Sequence, residues 1–512
     1  MTIILGPVLG FQGLVDGNWK VGALVVTEGQ QPAITYQSGL HSGTANPNSI
    51  HTHGNRVVWR LDLAMPIADD NQEVSYTLTV GAKSETHSFH VPARNVAPRM
   101  AFCSCNGFSS LKLMKDETTQ DQVANWRVMM GRHEKEPYQL LLMGGDQVYA
   151  DEMWEVDGPL KDWMKMPYNL ANAAPFTPEM NAQVSAFYFN LYCRRWSQEG
   201  MAGMFARVPT IMMWDDHDIF DGWGSYLPAR QNCAVFQGIF PHASKAFEIF
   251  QRQNVLADRN VCLAAEYGYS LGFDLGTVGL LIPDLRSERT QNQVLSTQHW
   301  DMLFDWMKET SFIHLLLVSS IPVVHPSFGL LEKLLGVFPG QQEIEDDLAD
   351  HWTSTGHAGE RSRLVMRLLD YAKDDDPNRT RVTILSGDVH VAAHGILEST
   401  RHGDTNASVI TQFTSSGIVH PPPSGMVLLA YRQLFEGVDE IARGITARMV
   451  PMPGTQYSSL GLRNWLSIEP DTKEELRGKP RLWVHWLAVE GEAVPPIAQK
   501  HIKQYTKVVN PA

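Results

Sequence analysis

The sequence predicts a layered α/β core preceded by an all-β segment, and three observations carry that reading. From about Met100 onward, apolar runs of strand length alternate with amphipathic helical segments. Residues 1–97 show short alternating strand patterns broken by Gly, Asn, Asp and Pro. Four of the core runs end in residues able to ligate metals.

Taken in order, "MTIILGPVLGFQG" reads as a first strand, followed by "KVGALVVTEG", "RVVWRLDLAMP", "EVSYTLTVGAK" and "THSFHVPA". These suggest a β-sandwich-like domain over 1–97, closed by the two prolines of "VPARNVAPRM". The core is expected over 98–420. Its strands are "RMAFCS", "YQLLLMGG", "PTIMMW", "TVGLLIP", "FIHLLLVSS", "RVTILSG" and "ASVITQF". Its helices include "MNAQVSAFYFNLYCRRW", "STQHWDMLFDWMKET" and "GERSRLVMRLLDYAK", which carry apolar residues at helical spacing. Residues 421–512 read as an extension completing or capping the core: "HPPPSG" as a loop, "GMVLLAYRQLFEGVDEIARGI" as a helix and "PRLWVHWLAVEG" as a late strand.

Composition narrows the function. A formal net charge of -14 over 512 residues argues against a broad nucleic-acid surface and against sequence-specific nucleic-acid binding. The five cysteines (Cys103, Cys105, Cys193, Cys233, Cys262) are odd in number and lack CxxC spacing, which suits a reducing compartment. The N-terminus shows no basic region, twin arginine or cleavage site, so a cytoplasmic protein is expected, with an exported form as the alternative. "FIHLLLVSSIPVV" is broken by His314, two serines and Pro322, and no membrane span is expected.

The chemistry lies at strand ends: "FCSCNG", "GGDQVYAD", "MWDDHD" and "SGDVH". Ligand sites of layered α/β proteins collect there, where loops from several strands converge. Gly144 and Gly145 allow a tight turn, so Asp146 emerges just past a buried strand with Tyr149 three residues on. Asp388 and His390 lie two apart and, in an extended segment, would project to one face. In "VPTIMMWDDHDIFDGWGSY", Asp215, Asp216, His217 and Asp218 follow a buried strand side by side. Such a cluster is costly unless water or a cation offsets it.

The ordered set "SCNG", "GDQVYAD", "DDHD" and "SGDVH" resembles the metallophosphoesterases, most closely the PhoD-like alkaline phosphatases, which are similar to purple acid phosphatases around their metals. The match runs from about Met100 to Gly417, with weaker echoes in "PDLRSERT", "STQHWDMLFDWM" and "GERSRLVMRLLDYA". The resemblance implies a four-layer α/β/β/α core and a dinuclear or larger metal centre. Asp146 would bridge two cations, and Tyr149, as a phenolate, would favour Fe(3+), which can lower a phenol pKa of ~10. Cys105 would supply a thiolate and His390 would complete that first site, while Cys103 is a buried strand residue. Asp216 stands where the family often has Asn and Asp388 where it often has His. Both departures favour Ca(2+), Mn(2+) or Mg(2+) over Zn(2+) at the second site.

His217 would stabilise the phosphoryl group or protonate the leaving oxygen. Asp215 and Asp218 would orient it or lie in a solvated loop. Arg286 and Arg289 would clamp a phosphate or form surface ion pairs. Asn106 would approach a phosphate oxygen. His325, His351, His357, His394 and His420 are further ligands, substrate contacts or structural residues. Trp154, Trp163 and Tyr168 would stack on an organic ester group or pack.

The implied reaction is hydrolysis of phosphomonoesters, phosphodiesters or both by attack of a metal-bound hydroxide. PhoD-like enzymes are usually exported, and the missing twin arginine makes nucleotides, nucleic-acid ends or phospholipid-type diesters equal candidates as substrates. Two other classes stand beside the phosphatase: a non-catalytic binding module on the same scaffold, and an iron-dependent redox protein using Cys105 and Tyr149.

Overall fold

Uninterrupted runs of Leu, Ile, Val and Met make strands that need cover on both faces, and parallel sheets supply it. In the computed structural model, which describes residues 3–116, 119–253, 261–326, 350–373, 380–402, 409–423, 425, 428, 437–476, 479–489 and 502–512, the core runs form two such sheets. Met100–Cys103, Leu140–Gly144 and Thr210–Met213 lie parallel at the centre of a ten-stranded sheet. Val278–Ile282, His314–Ser319, Arg381–Ser386 and Val409–Ser415 lie parallel in the second sheet.

Alternation along Leu140–Gly144 separates two cores. Leu140 and Leu142 share one core with Leu315, Ile384 and Phe413 of the second sheet. Leu141 and Met143 face the other way, into a core with Trp126, Tyr192 and Phe205 from helices. Helices Thr297–Glu309 and Ala358–Lys373 pack on the second sheet through Trp300, Leu303, Leu364 and Leu368. The layers therefore run helix, sheet, sheet, helix, as the four-layer expectation had it.

Both flanks of the first sheet come from far along the chain. On one side Ile3–Val15 runs parallel to Thr210–Met213, with Gly10 opposite Thr210, and is followed by Asn18–Thr27, Arg56–Pro66 and Pro47–His53. On the other, Asn464–Leu476 runs antiparallel to Met100–Cys103, with Leu466 opposite Phe102, and leads to Lys479–Val489 and Ile502–Val509. The strands His41–Ala45, Pro32–Ser38, Gln72–Val80 and Lys83–Val91 form a separate four-stranded sheet. The strands of residues 1–97 are thus divided between the two.

The helix expected in "GMVLLAYRQLFEGVDEIARGI" lies mostly outside the described residues. Its end is a strand, Val438–Ala442, that turns back through Gly444 (φ +74°) to pair with Ile445–Met449. Gly444 accepts a left-handed conformation that would end a helix, and the alternation beyond it suits a hairpin. Among the described residues no helix is long and apolar enough to cross a membrane.

Candidate active site

The loops leaving the central strands turn sharply, and they do so at the residues singled out by chemistry. Cys105 (φ +55°), Asp146 (+56°), Asp388 (+72°) and His390 (+52°) all adopt the left-handed region, which costs a non-glycine residue about 1 kcal/mol or more. Bonds from neighbouring loops hold them there. Cys105 N donates to Gly145 O (3.2 Å), Asn106 N to Asp146 O (2.8 Å) and His390 N to Ser416 Oγ (2.9 Å). Gly145 itself has φ +104°, and a Cβ there would meet the Cβ atoms of Asp215 and Ser320 at 2.9 Å. Asp388 and His390 do not sit in an extended segment, as expected from their spacing. They reach the site through a turn that follows Arg381–Ser386, because both backbones are left-handed.

Among the described residues, two sets of three donors result. The ligand atoms of Cys105, Asp146 and His390 lie within 4.8 Å of one another, as do those of Asp146, Asp216 and His217. Asp146 belongs to both. Its Oδ2 lies 3.5 Å from Cys105 Sγ and 3.3 Å from the Tyr149 hydroxyl, while its Oδ1 is buried with no hydrogen-bond partner among the described residues. The Tyr149 hydroxyl is also 3.4 Å from His390 Nε2. Asp388 stands outside both sets, with its Oδ2 3.8 Å from His351 Nδ1.

The charges in this space are unbalanced. Burial, reinforced by neighbouring carboxylates, pushes the carboxyls of Asp146 and Asp388 well above the usual range. Burial, then Asp146 among other charges, does the same to the Cys105 thiol, and burial followed by Cys105 and Asp146 does so to the Tyr149 phenol. Burial raises Asp215 to about 6 despite Arg286, and raises Asp218 to about 7. Burial, then His420 and His217, holds the His390 imidazole well below its ordinary value, which leaves it neutral and able to ligate. Soft and hard donors, an orphaned carboxylate oxygen and excess acidity together fit bound cations.

Arg286 departs from both readings given to it. It is fully buried, so it is no surface ion pair. Its Nε donates to Asp215 Oδ1, Nη1 to Trp223 O (3.1 Å) and Asp350 Oδ1 (2.7 Å), and Nη2 to Asp216 Oδ1 (3.2 Å) and Asp350 Oδ2 (2.7 Å). Every N–H is engaged, and none remains to clamp a phosphate. Arg289 is buried behind it, bonded to the side chain and carbonyl of Asp350. Burial works against the Asp350 carboxylate, yet Arg286 and Arg289 bring its pKa far below the usual range. Replacing Arg286 by Leu is expected to destabilise the fold by about 3–5 kcal/mol in denaturant titrations, since three buried carboxylates lose their partner. Arg286→Lys should recover only part, because an ammonium lacks the planar fork.

Asp151 is the functional residue that sequence reasoning missed. Its Oδ2 lies 2.6 Å from His217 Nδ1 and its Oδ1 accepts from Asp221 N (2.8 Å). The orienting role left open for Asp215 and Asp218 falls to it. It stands inside the "GDQVYAD" run, in the short 3-10 helix Ala150–Trp154, but its partner is 66 residues away and no spacing rule joins them. Burial disfavours a charged His217; the carboxylates of Asp151, Asp216 and Asp146 outweigh it and raise the imidazole well above its ordinary value. The Tyr149 ring lies 4.2 Å from the His217 ring.

Asp218 is no solvated loop residue. Its carboxylate accepts from the backbone N–H groups of Asp215 (2.9 Å), Gln147 (3.0 Å) and Val148 (3.2 Å), and from Gln251 Nε2 (2.9 Å) in a π-helical turn, Phe247–Gln251. It ties the Asp146 loop to the His217 loop. Asn106 faces inward, bonded to Gln147 O (3.1 Å) and to Trp126 Nε1 (2.9 Å), so it does not reach for a phosphate. His420 stacks on His390 with ring centroids 3.6 Å apart. His325 stacks on His351, and His357 and His394 contact backbone carbonyls away from the donor sets. Cys103 is buried in its strand. Trp163 is buried, Trp154 half-buried and Tyr168 exposed.

A family model described as PhoD related phosphatase matches residues 65–338 and 327–436. The solved structure of PhoD covers all of this chain and 92% of its own, at 14% identity and a TM-score of 0.61. A Saccharomyces cerevisiae protein, Uncharacterized protein YGR266W, is 27% identical over 592 residues, covering 94% of this chain and 82% of that protein.

Proposed function

Because the chain belongs to the PhoD related phosphatase family, we propose that it hydrolyses phosphomonoesters, phosphodiesters or both at a dinuclear metal centre. The observation that carries this reading is that two donor sets share Asp146, whose second oxygen is buried and unpartnered among the described residues. Cys105, Asp146, Tyr149 and His390 would hold one cation; Asp146 and Asp216 would hold the other, while Asp388, expected as a further ligand, stands apart from both sets beside His351. Thiolate and phenolate donors suit Fe(3+), and the carboxylate-rich second set suits Ca(2+), Mn(2+) or Mg(2+) better than Zn(2+). Bound cations would lower the pKa of a water and neutralise charge on the phosphate oxygens.

The chain's own groups do the rest. Asp151 fixes the His217 proton on Nδ1 and favours the charged imidazolium, so Nε2 carries a second proton that can pass to the leaving oxygen. Asp218 keeps the two catalytic loops in register through its four N–H contacts. Arg286 fixes Asp216 and screens its charge. We also propose a division into residues 1–97, 98–420 and 421–512, and a cytoplasmic location.

The test is hydrolysis of soluble mono- and diesters by purified protein, with elemental analysis of the same sample. Turnover with about two metal equivalents supports the reading; metals without turnover of any ester would favour a redox or binding role. Tyr149→Phe gives a second readout. A visible charge-transfer band is expected in the parent protein and should vanish in this variant; a fully active parent without the band would remove Fe(3+) from the account.

A further inference from the structure

We propose that Arg195 is a substrate-binding residue: its guanidinium takes an anionic oxygen of the phosphoryl group at the donor sets, and so favours the phosphomonoester over the diester. This rests on the phosphoesterase reading above and chooses between its two substrates.

Position comes from the helix that carries it. Pro178–Trp196 buries Tyr188, Tyr192, Arg195 and Trp196 on one face, and that face lies against the loops leaving the donor strands. Tyr188 Oη donates to Ile219 O, two residues past His217. Trp196 Nε1 donates to Gln147 O (3.4 Å), one residue past Asp146, and Arg195 Nη2 to Asn106 O (3.5 Å), one residue past Cys105. Gly107 follows, and it packs on the ring of Tyr149 so closely that a Cβ there would come within 2.3 Å of Cδ2. The guanidinium therefore stands where the Cys105 and Tyr149 segments meet, beside the first donor set.

Charge points to an anion. Arg195 is 5% exposed, yet among the described residues its guanidinium forms no ion pair and only that one long hydrogen bond. Glu152, the carboxylate whose charge acts on it, is taken by Arg194 (2.5 Å), and Phe108 offers a ring centroid 5.8 Å from Cζ. Arg286, Arg289 and Arg361, also buried, each bond an aspartate. A guanidinium taken out of water without a counter-charge is held against its own desolvation. Burial accordingly presses the Arg195 pKa below the ordinary arginine value. A phosphate oxygen would supply the partner, and the planar fork suits it in geometry as well as in charge.

The same charge discriminates between esters. Near neutral pH a phosphomonoester carries about two negative charges on three terminal oxygens, and a diester about one charge on two. A cation added beyond the donor sets rewards the monoester more.

The experiment uses the full chain with Arg195→Met, which keeps an aliphatic stem and removes the charge, and with Arg195→Lys beside it. Free of metal, Arg195→Met is expected to melt no lower than the parent, because it removes an uncompensated buried charge and breaks no ion pair. With metal loaded, inorganic phosphate should inhibit Arg195→Met about tenfold more weakly than the parent. In the same samples kcat/KM should fall by about tenfold or more on an aryl phosphomonoester, and by less than about threefold on the matching aryl methyl phosphodiester. Arg195→Lys should keep part of the monoester preference. A metal-free Arg195→Met that melts well below the parent would assign the guanidinium to the fold and overturn the proposal. Equal losses on the two esters, or unchanged inhibition by phosphate, would overturn it as well and leave the phosphoesterase reading standing. A parent that neither hydrolyses an ester nor binds phosphate overturns that reading and the proposal with it.

Discussion

Asp146→Asn is expected to lower kcat/KM on any phosphate ester by on the order of 10³-fold or more, with loss of metal from both positions. Asp146 is the one residue common to both donor sets, and an amide cannot supply two anionic oxygens. The variant should also reverse the order of stabilities. In metal-free parent protein the clustered carboxylates resist ionising: Asp215 is raised to about 6 and Asp218 to about 7, against roughly 4 in an unfolded chain. A group whose pKa is raised by folding contributes stability below its unfolded value and loses it as pH rises through the folded one. The metal-free parent should therefore lose stability between about pH 4 and pH 7. Asp146→Asn removes one of the repelling carboxylates, so metal-free variant should melt higher than metal-free parent. Added cations should then stabilise the parent far more than the variant. Retained turnover, or retained metal at parental stoichiometry, would sink the bridging role.

His217→Gln is expected to cost about 10²–10⁴ in kcat on esters with poor leaving groups and much less on activated aryl esters, which need little protonation of the departing oxygen. Asp151→Asn separates orientation from chemistry. His217 must be protonated to act as an acid, so activity falls as pH rises through its pKa. Asp151 raises that pKa, and removing its charge should move the alkaline limb of the kcat profile to lower pH. A limb that stays in place would mean that His217 is not the acid.

The legible parts of this protein were those with local signatures. Each apolar run before a metal-ligating cluster is a strand, because unbroken Leu, Ile and Met cannot lie anywhere but between covered faces. Cys105, Asp146, Asp216, His217 and His390 were legible because a strand end fixes where the next loop points. What escaped depends on partners distant in sequence. Asp151 looks like any helix-start carboxylate until His217 is folded against it. Arg286 reads as a phosphate clamp or a surface arginine until Asp350 closes over it. The left-handed turns at Asp388 and His390 are imposed by neighbouring loops such as Ser416, not by the residue types themselves.

The two flanks of the ten-stranded sheet also govern how the chain is made. Thr210–Met213 can find Ile3–Val15 early in synthesis, but Met100–Cys103 has no neighbour on its other side until Asn464–Leu476 leaves the ribosome. For most of translation the nascent protein carries an unpaired edge beside its future donor sets, the situation in which strands recruit the wrong partner. Slow maturation, dependence on a holdase and poor recovery from denaturant are the expected signature of this topology.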